Sequence, residues 1–255
     1  MRIVLSVLTV LAVAGSSSTW QDRLSLEIDV PGEVSRYQPV MLWYSIRNDS
    51  TASQTINLGF NRIGSFTFVL ERPDGSVQKS TPDYPPRDWG GRSPVLTLAP
   101  GESYRQYIAL NEWLRFDEVG AYSLRIELTG QAASALSIVG DGTRQVWIRP
   151  VNPGQIEARC KALLSSLVPI TRFDTDFAAA VAELAWTRHP VAVPYLEAAI
   201  AAEVNPSLFD ALVEIGTAEA RNAVVRLTRH PTPWVANGAK NALSRFGGGK
   251  STAHP

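Results

Sequence analysis

Apolar and polar side chains alternate along the first half of the chain and change to a helical spacing in the second. Leu24, Leu26, Ile28 and Val30 are separated by Ser25, Glu27 and Asp29, and Tyr122, Leu124, Ile126 and Leu128 by Ser123, Arg125 and Glu127. A period of two puts one set of side chains on each face of a strand. The same reasoning predicts strands at 39–47, 54–60, 65–72, 76–80, 95–98, 103–110, 134–139 and 143–149. Turn-forming residues stand between them: Pro31-Gly32, Asn48-Asp49, Asp74-Gly75, Gly90-Gly91, Pro100-Gly101, Gly120 and Asp141-Gly142. Many short strands with regularly spaced turns predict an antiparallel sandwich over 20–149.

The alternation stops at Arg149-Pro150-Val151-Asn152-Pro153-Gly154, and 150–154 reads as a linker. Beyond it, helices are predicted at 155–168, 175–188, 194–204, 206–215, 218–230 and 233–246. Thr175, Asn205, Thr217 and Thr232 suit helix N-caps, Pro194, Pro206 and Pro233 suit first helical positions, and Gly216 and Gly247 suit helix stops. Three segments recur at one spacing of 31 residues: AVAELA at 180–185, ALVEIG at 211–216 and ALSRFG at 242–247. Ala180, Ala211 and Ala242 share one column, Val181, Leu212 and Leu243 the next, and Leu184, Ile215 and Phe246 the fifth. A fixed period of this size marks units that must stack to bury their apolar faces. The alternative is a plain helical bundle with chance similarity. So short a stack needs a cover for its first helices, and helix 155–168 is expected to pack on the sandwich or cap the first unit.

Two resemblances follow from these residues. Phe116-Asp117-Glu118-Val119-Gly120-Ala121-Tyr122 resembles the approach to a late strand of immunoglobulin-like sandwiches, where the tyrosine bonds back to the backbone. Leu98-Ala99-Pro100-Gly101-Glu102-Ser103, and Pro39-Val40 leading to Asn48, are similar to turns of bacterial immunoglobulin-like domains. The stretch from Leu208 to Gly247 resembles the short HEAT-like repeats of the phycobiliprotein-lyase type. Together they imply an all-β immunoglobulin-like sandwich followed by an all-α HEAT-like helical repeat domain over 155–247, with 248–255 a flexible tail. In HEAT-like repeats the second helices line the partner-facing side, which implies such a place for Tyr195, Glu197 and Arg226.

Charge narrows the class of partner. Lys and Arg number 24 against 24 Asp and Glu, and neither half departs far from neutrality: −2 over 20–149 and +1 over 150–255. Nucleic acid, which needs a basic excess, is not expected. Arg2 and the apolar run Ile3 to Ala14, ending in Ala12-Val13-Ala14, read as an export signal over 1–19. The alternative is a buried N-terminal strand. The run is too short to span a bilayer, so the expectation is a periplasmic or extracellular protein with no membrane insertion after signal removal. Cys160 is the single cysteine and lies on the stripe Ile156, Leu163, Leu164, Leu167, which makes it a buried hydrophobe rather than a nucleophile.

Candidate chemistry is thin. Thr-Arg-His-Pro occurs at 187–190 and 228–231, out of step with the repeat, and no third ligand completes a metal set with His189 and His230. Arg and His near a helix end followed by Pro explain the motif without a metal. Gly247 to Thr252 is like the end of a phosphate-binding loop, but Ser244 stands where that motif needs glycine and a helix precedes it. No nucleophile elbow is present. Neither a cofactor nor a metal is expected, and the chain reads as a non-catalytic binding or scaffold protein whose partner is another protein. Two surfaces are candidates. Loop 82–94 carries Tyr84, Arg87, Trp89 and Arg92, the residue types of interface anchors; alternatively Trp89 folds back onto the sandwich core. The exposed side of helix 218–230 carries Arg221, Arg226 and Arg229, and is otherwise an ordinary solvated face. The loop also suits a second reading, a protein inhibitor of a protease or other enzyme.

Overall fold

The computed structural model describes residues 24–59, 62, 64–80 and 95–248. The expected export segment, the loop 82–94 and the residues after 248 lie outside the described residues. The first half forms strands β1 (Leu24–Asp29), β2 (Glu33–Ser35), β3 (Met41–Arg47), β4 (Gln54–Asn57), β5 (Phe66–Glu71), β6 (Val77–Lys79), β7 (Val95–Leu98), β8 (Ser103–Ala109), β9 (Gly120–Leu128), β10 (Leu136–Ile138) and β11 (Thr143–Arg149). They make a four-stranded sheet in the order β10-β1-β3-β8, a five-stranded sheet β2-β11-β9-β5-β6, and the pair β4-β7. Leu26, Tyr44 and Ile46 from the first sheet share one core with Phe68, Leu70, Tyr122, Leu124 and Val146 from the second. Two sheets closed over a common core make a β-sandwich.

The Tyr122 hydroxyl donates to the Glu118 carbonyl at 3.0 Å and accepts from the Glu118 amide at 2.9 Å. That fixes the turn before β9, as the sequence led one to expect. The buried Asn48 amide likewise donates to the carbonyls of Ala52 and Leu98, at 2.8 and 2.9 Å, and ties two turns together. Two details differ from the expected strands. Segment 134–139 is the end of a short helix α1 (Gly130–Ala135) followed by β10. Gly130 makes that helix possible: its φ is +55°, and a Cβ there would lie 2.6 Å from the Gly64 carbonyl oxygen. Strand β2 runs parallel to β11 and was not expected, because three residues are too few to show an alternation.

The second half forms α2 (Pro153–Leu167), α3 (Thr175–Trp186), α4 (Val193–Ala201), α5 (Leu208–Ile215), α6 (Ala218–Leu227) and α7 (Pro233–Gly248). The caps are mostly local side chains. Asn152 accepts from Gln155 N, Thr217 from Ala220 N, and Asp174, not Thr175, caps α3 through Phe177 N. Gly216 closes α5 at φ +67°. The helices lie in two rows. α2, α4 and α6 touch in succession, as do α3, α5 and α7. The recurring columns fall in the second row, where Val181, Leu212, Ala211 and Ala242 are buried and Ala180 and Leu243 half-buried.

The two halves meet along α3. Ala179 and Ala182 press on Met41, Tyr107 and Ala109 of the four-stranded sheet, with Trp43, Ala178 and Trp186 at the margin. Trp186 Nε1 donates to Glu112 at 3.1 Å, Arg188 N donates to the Tyr37 carbonyl at 2.9 Å, and Arg105 pairs with Asp176 at 3.2 Å. Asn152 N also donates to Ser35 Oγ at 3.0 Å, which pins the linker to β2. Of the two places expected for the first long helix, α2 takes the second. It covers α3 and α4, and the sandwich contact belongs to α3.

Candidate partner-binding face

The row α2, α4 and α6 presents its outer side away from the sandwich contact. Its polar side chains are spent on joining neighbours. Tyr195 of α4 donates to Glu157 of α2 at 3.2 Å. Arg226 of α6 meets Glu197 of α4 with two parallel bonds, at 2.7 and 2.6 Å. A fork-on-fork pair of this kind fixes register as well as attraction. Glu197 holds the Arg226 guanidinium above its usual value, through the hydrogen bond first and its charge after, against the opposing effect of desolvation. The structure puts Tyr195 and Glu197 on α4 and Arg226 on the neighbouring α6, and adds Glu157, which was not among the expected residues. Arg229, expected on the same helix, is exposed in the turn after α6 ends at Leu227, and forms no ion pair among the described residues. Tyr84, Arg87, Trp89 and Arg92 lie outside the described residues.

The fourth column of the recurring segments carries the matching pairs of the other row. Glu183 takes a two-bonded pair from Arg159 of α2, at 2.6 Å for both bonds. Glu214 pairs with Arg188, and Arg245 with Asp210. Each of these three positions is 31 residues after the last, so the repeat extends to the polar contacts between elements.

The two histidines of the repeated Thr-Arg-His-Pro motif do the same backbone work. His189 Nδ1 accepts from Val191 N at 3.3 Å and His230 Nδ1 from Thr232 N at 3.2 Å, each bridging its proline. With Nδ1 as acceptor, His230 Nε2 is the donor to the Ala201 carbonyl, 3.1 Å away. The helices before them end at Trp186 and Leu227, so both residues sit in the turns that follow. His189 precedes α4 and His230 reaches its last residue, which puts the pair at opposite ends of one helix.

A cleft of about 260 Å³ opens where the halves meet, lined by Met41 and Trp43 from β3, Arg159, Ala162 and Ser166 from α2, and Asp176, Ala180 and Glu183 from α3. Small residues on both helices create the concavity. Its charges are already matched: Arg159 with Glu183, and Asp176 with Arg105, whose guanidinium lies 3.8 Å from the Trp43 ring centroid. The sequence signal for this junction was slight: Trp186, at the end of a face of α3 otherwise made by alanines.

Cys160 is buried in the helical core, and burial, then the nearby Glu183 charge, push its thiol from 9.0 up to about 11. In the folded chain it should therefore react with iodoacetamide at pH 8 about a hundredfold more slowly than in the unfolded chain. Because the folded value is the higher one, the associated stability is complete below pH 9 and is lost as pH rises through about 11. Alkylation monitored by mass spectrometry, with and without denaturant, checks this; equal rates would remove the burial argument.

No protein-family model and no curated protein matches the chain. Among solved structures it is similar to a CARDB domain from Pyrococcus furiosus, with 12% identity over 49% of this chain and 86% of that one, at a TM-score of 0.26. It is also similar to a β-glucosidase from Listeria innocua (10% identity, 51% of this chain, 16% of the enzyme, TM-score 0.29). A third is the alkylpurine DNA glycosylase AlkC from Pseudomonas fluorescens (10% identity, 49% of this chain, 30% of the enzyme, TM-score 0.25). Likeness at this level assigns neither an activity nor a ligand.

Proposed function

We propose that the chain is an exported, non-catalytic protein-binding or scaffold protein, in which an immunoglobulin-like sandwich carries a short HEAT-like helical stack. The observation that carries this reading is the outer side of α2, α4 and α6, a continuous surface held in register by Tyr195–Glu157 and Arg226–Glu197. The column of Glu183, Glu214 and Arg245 supports the repeat, and the Tyr122 hydroxyl bonded to Glu118 supports the sandwich type. The contacts along α3 join the two halves, which suits a scaffold. The ion pairs Arg159–Glu183, Arg226–Glu197 and Arg245–Asp210 hold helices to one another, and the two described histidines cap turns.

Photo-cross-linking in the native cell envelope tests the proposal. A photoreactive residue at Asn222 on α6 should trap one discrete protein adduct, and the same residue at Gln145 on the outer face of β11 should not. Arg226→Glu combined with Arg229→Glu should weaken recapture of that protein, once purified, by about tenfold. Equal adducts at both positions, or none at either, would defeat the reading.

A further inference from the structure

The repeated Thr-Arg-His-Pro motif places a titratable ring in the same backbone contact twice. His189 caps the short helical turn Pro190–Ala192 ahead of α4, its Nδ1 accepting from Val191 N at 3.3 Å. His230 Nδ1 accepts from Thr232 N at 3.2 Å, and the Thr232 carbonyl accepts from Val235 N and Ala236 N at the start of α7. An Asn or Asp oxygen commonly fills this place in a turn, two residues before the amide it binds. Imidazole differs in one respect: its ordinary titration falls between pH 5 and 8. A ring nitrogen that accepts from an N–H is the unprotonated one, and protonation makes both nitrogens donors. Two donors then face each other, and the bond is lost.

We propose that His189 and His230 are a pair of acid-released caps, so that mild acidification loosens the turns before α4 and α7. The bond is made by the unprotonated ring, so the stability it contributes is complete above the imidazole range and is lost as pH falls through it. The charges around the two rings differ. His189 packs on the Tyr37 ring with 6.0 Å between centroids, and the Arg36 guanidinium lies 5.1 Å from the same ring. Arg188, next in sequence, pairs with Glu214 of α5. Helix α2 also packs on the turn 190–192, with Glu157 engaged by Tyr195 and Arg159 by Glu183. His230 follows Arg229 and reaches the end of α4, where its Nε2 meets the Ala201 carbonyl and Glu203 takes the Thr232 hydroxyl. Helix α7 brings no charge before Lys240. A second positive charge at 189 therefore joins Arg36 and Arg188, whereas at 230 Glu203 offsets Arg229. His189 is the more acid-sensitive of the two, and it stands where the halves meet, beside the bond from Arg188 N to the Tyr37 carbonyl.

Urea melts of the full chain at about pH 8 and about pH 5.5 test this. On acidification the ratio of folded to unfolded chain should fall about tenfold further in the parent than in His189→Asn/His230→Asn. Asparagine offers an oxygen to the same N–H and does not titrate, so the double variant should match the parent at the higher pH. Carboxylates and His254 are common to both chains and cancel in the comparison. His189→Asn alone should remove more of the acid response than His230→Asn alone. An equal response in the parent and the double variant would overturn the proposal. Should the asparagine pair fail to fold, NMR of the parent decides: the Val191 and Thr232 amide protons should shift together with the titration of the rings, and amides that stay still, or rings carrying their proton on Nδ1 at the higher pH, would overturn it.

Discussion

Replacing Ala182 by aspartate should separate the two halves of the chain. Ala182 is 1% exposed and sits between α3 and the sheet, against Met41, Tyr107 and Ala109. The methyl contact is small, but an aspartate there would leave a carboxylate in a site with no cation in the cluster. An unpaired buried charge costs several kcal/mol, more than the whole of this interface is expected to supply. Relief comes from undocking, since the sandwich and the helical rows each have a core of their own and this third cluster is the apolar contact between them. Calorimetry should therefore show one cooperative transition in the parent and two in Ala182→Asp, with the helical half melting earlier by about 3 kcal/mol or more. Ala182→Gly should keep a single transition. One unshifted transition in the aspartate variant would show that the junction carries no such coupling.

That junction was the part of the architecture least visible in the sequence. Strands came out of alternation because each sheet buries one face, and β1, β3, β5 and β9 all show it. Helix positions came out of spacing and caps, and the six long helices lie within a few residues of expectation. The sandwich contact failed to show because it uses alanines. Ala178, Ala179 and Ala182 are helix formers anywhere, and nothing in their identity says whether the face they make is wet or covered. Only Trp186, at the end of that face, marks it as buried, and its partner Glu112 is 74 residues away.

The candidate face was legible in one layer only. Tyr195, Glu197 and Arg226 were expected on it because the resemblance to HEAT-like repeats implies that second helices share one side. Glu157 and the pairing of Arg226 with Glu197 could not be read this way. Glu157 and Glu197 sit 38 and 29 residues from Tyr195 and Arg226, neither being the repeat distance, because the turn from α3 to α4 is longer than the turn from α5 to α6. The three arginines of 218–230 looked equivalent in the sequence. Packing separates them: Arg226 is used internally, Arg221 is exposed on α6, and Arg229 is exposed in the turn after it.

Enlarging Gly238 should destabilise the far end of the stack. A Cβ at this position would lie 2.7 Å from Phe209 Cε2 and 3.1 Å from Cδ2, closer than such atoms approach. Phe209 is 4% exposed, so its ring has nowhere to retreat, and α5 and α7 must part. On an open helix surface, Gly→Ala would gain about 1 kcal/mol of helix propensity. Here overpacking outweighs that gain, and Gly238→Ala should lose about 1 kcal/mol overall and Gly238→Val about 3 kcal/mol. Adding Phe209→Leu to Gly238→Ala should return part of the loss, so the pair is less damaging than the sum by about 1 kcal/mol in urea melts. A stabilised Gly238→Ala, or strict additivity with Phe209→Leu, would mean the helices are not set by this contact. The consequence reaches the binding face. α7 is packed against α6 as well as α5, so a shift of α7 moves the backing of the helix that carries Asn222 and Arg226, and the yield of the Asn222 adduct should fall in step with the loss of stability.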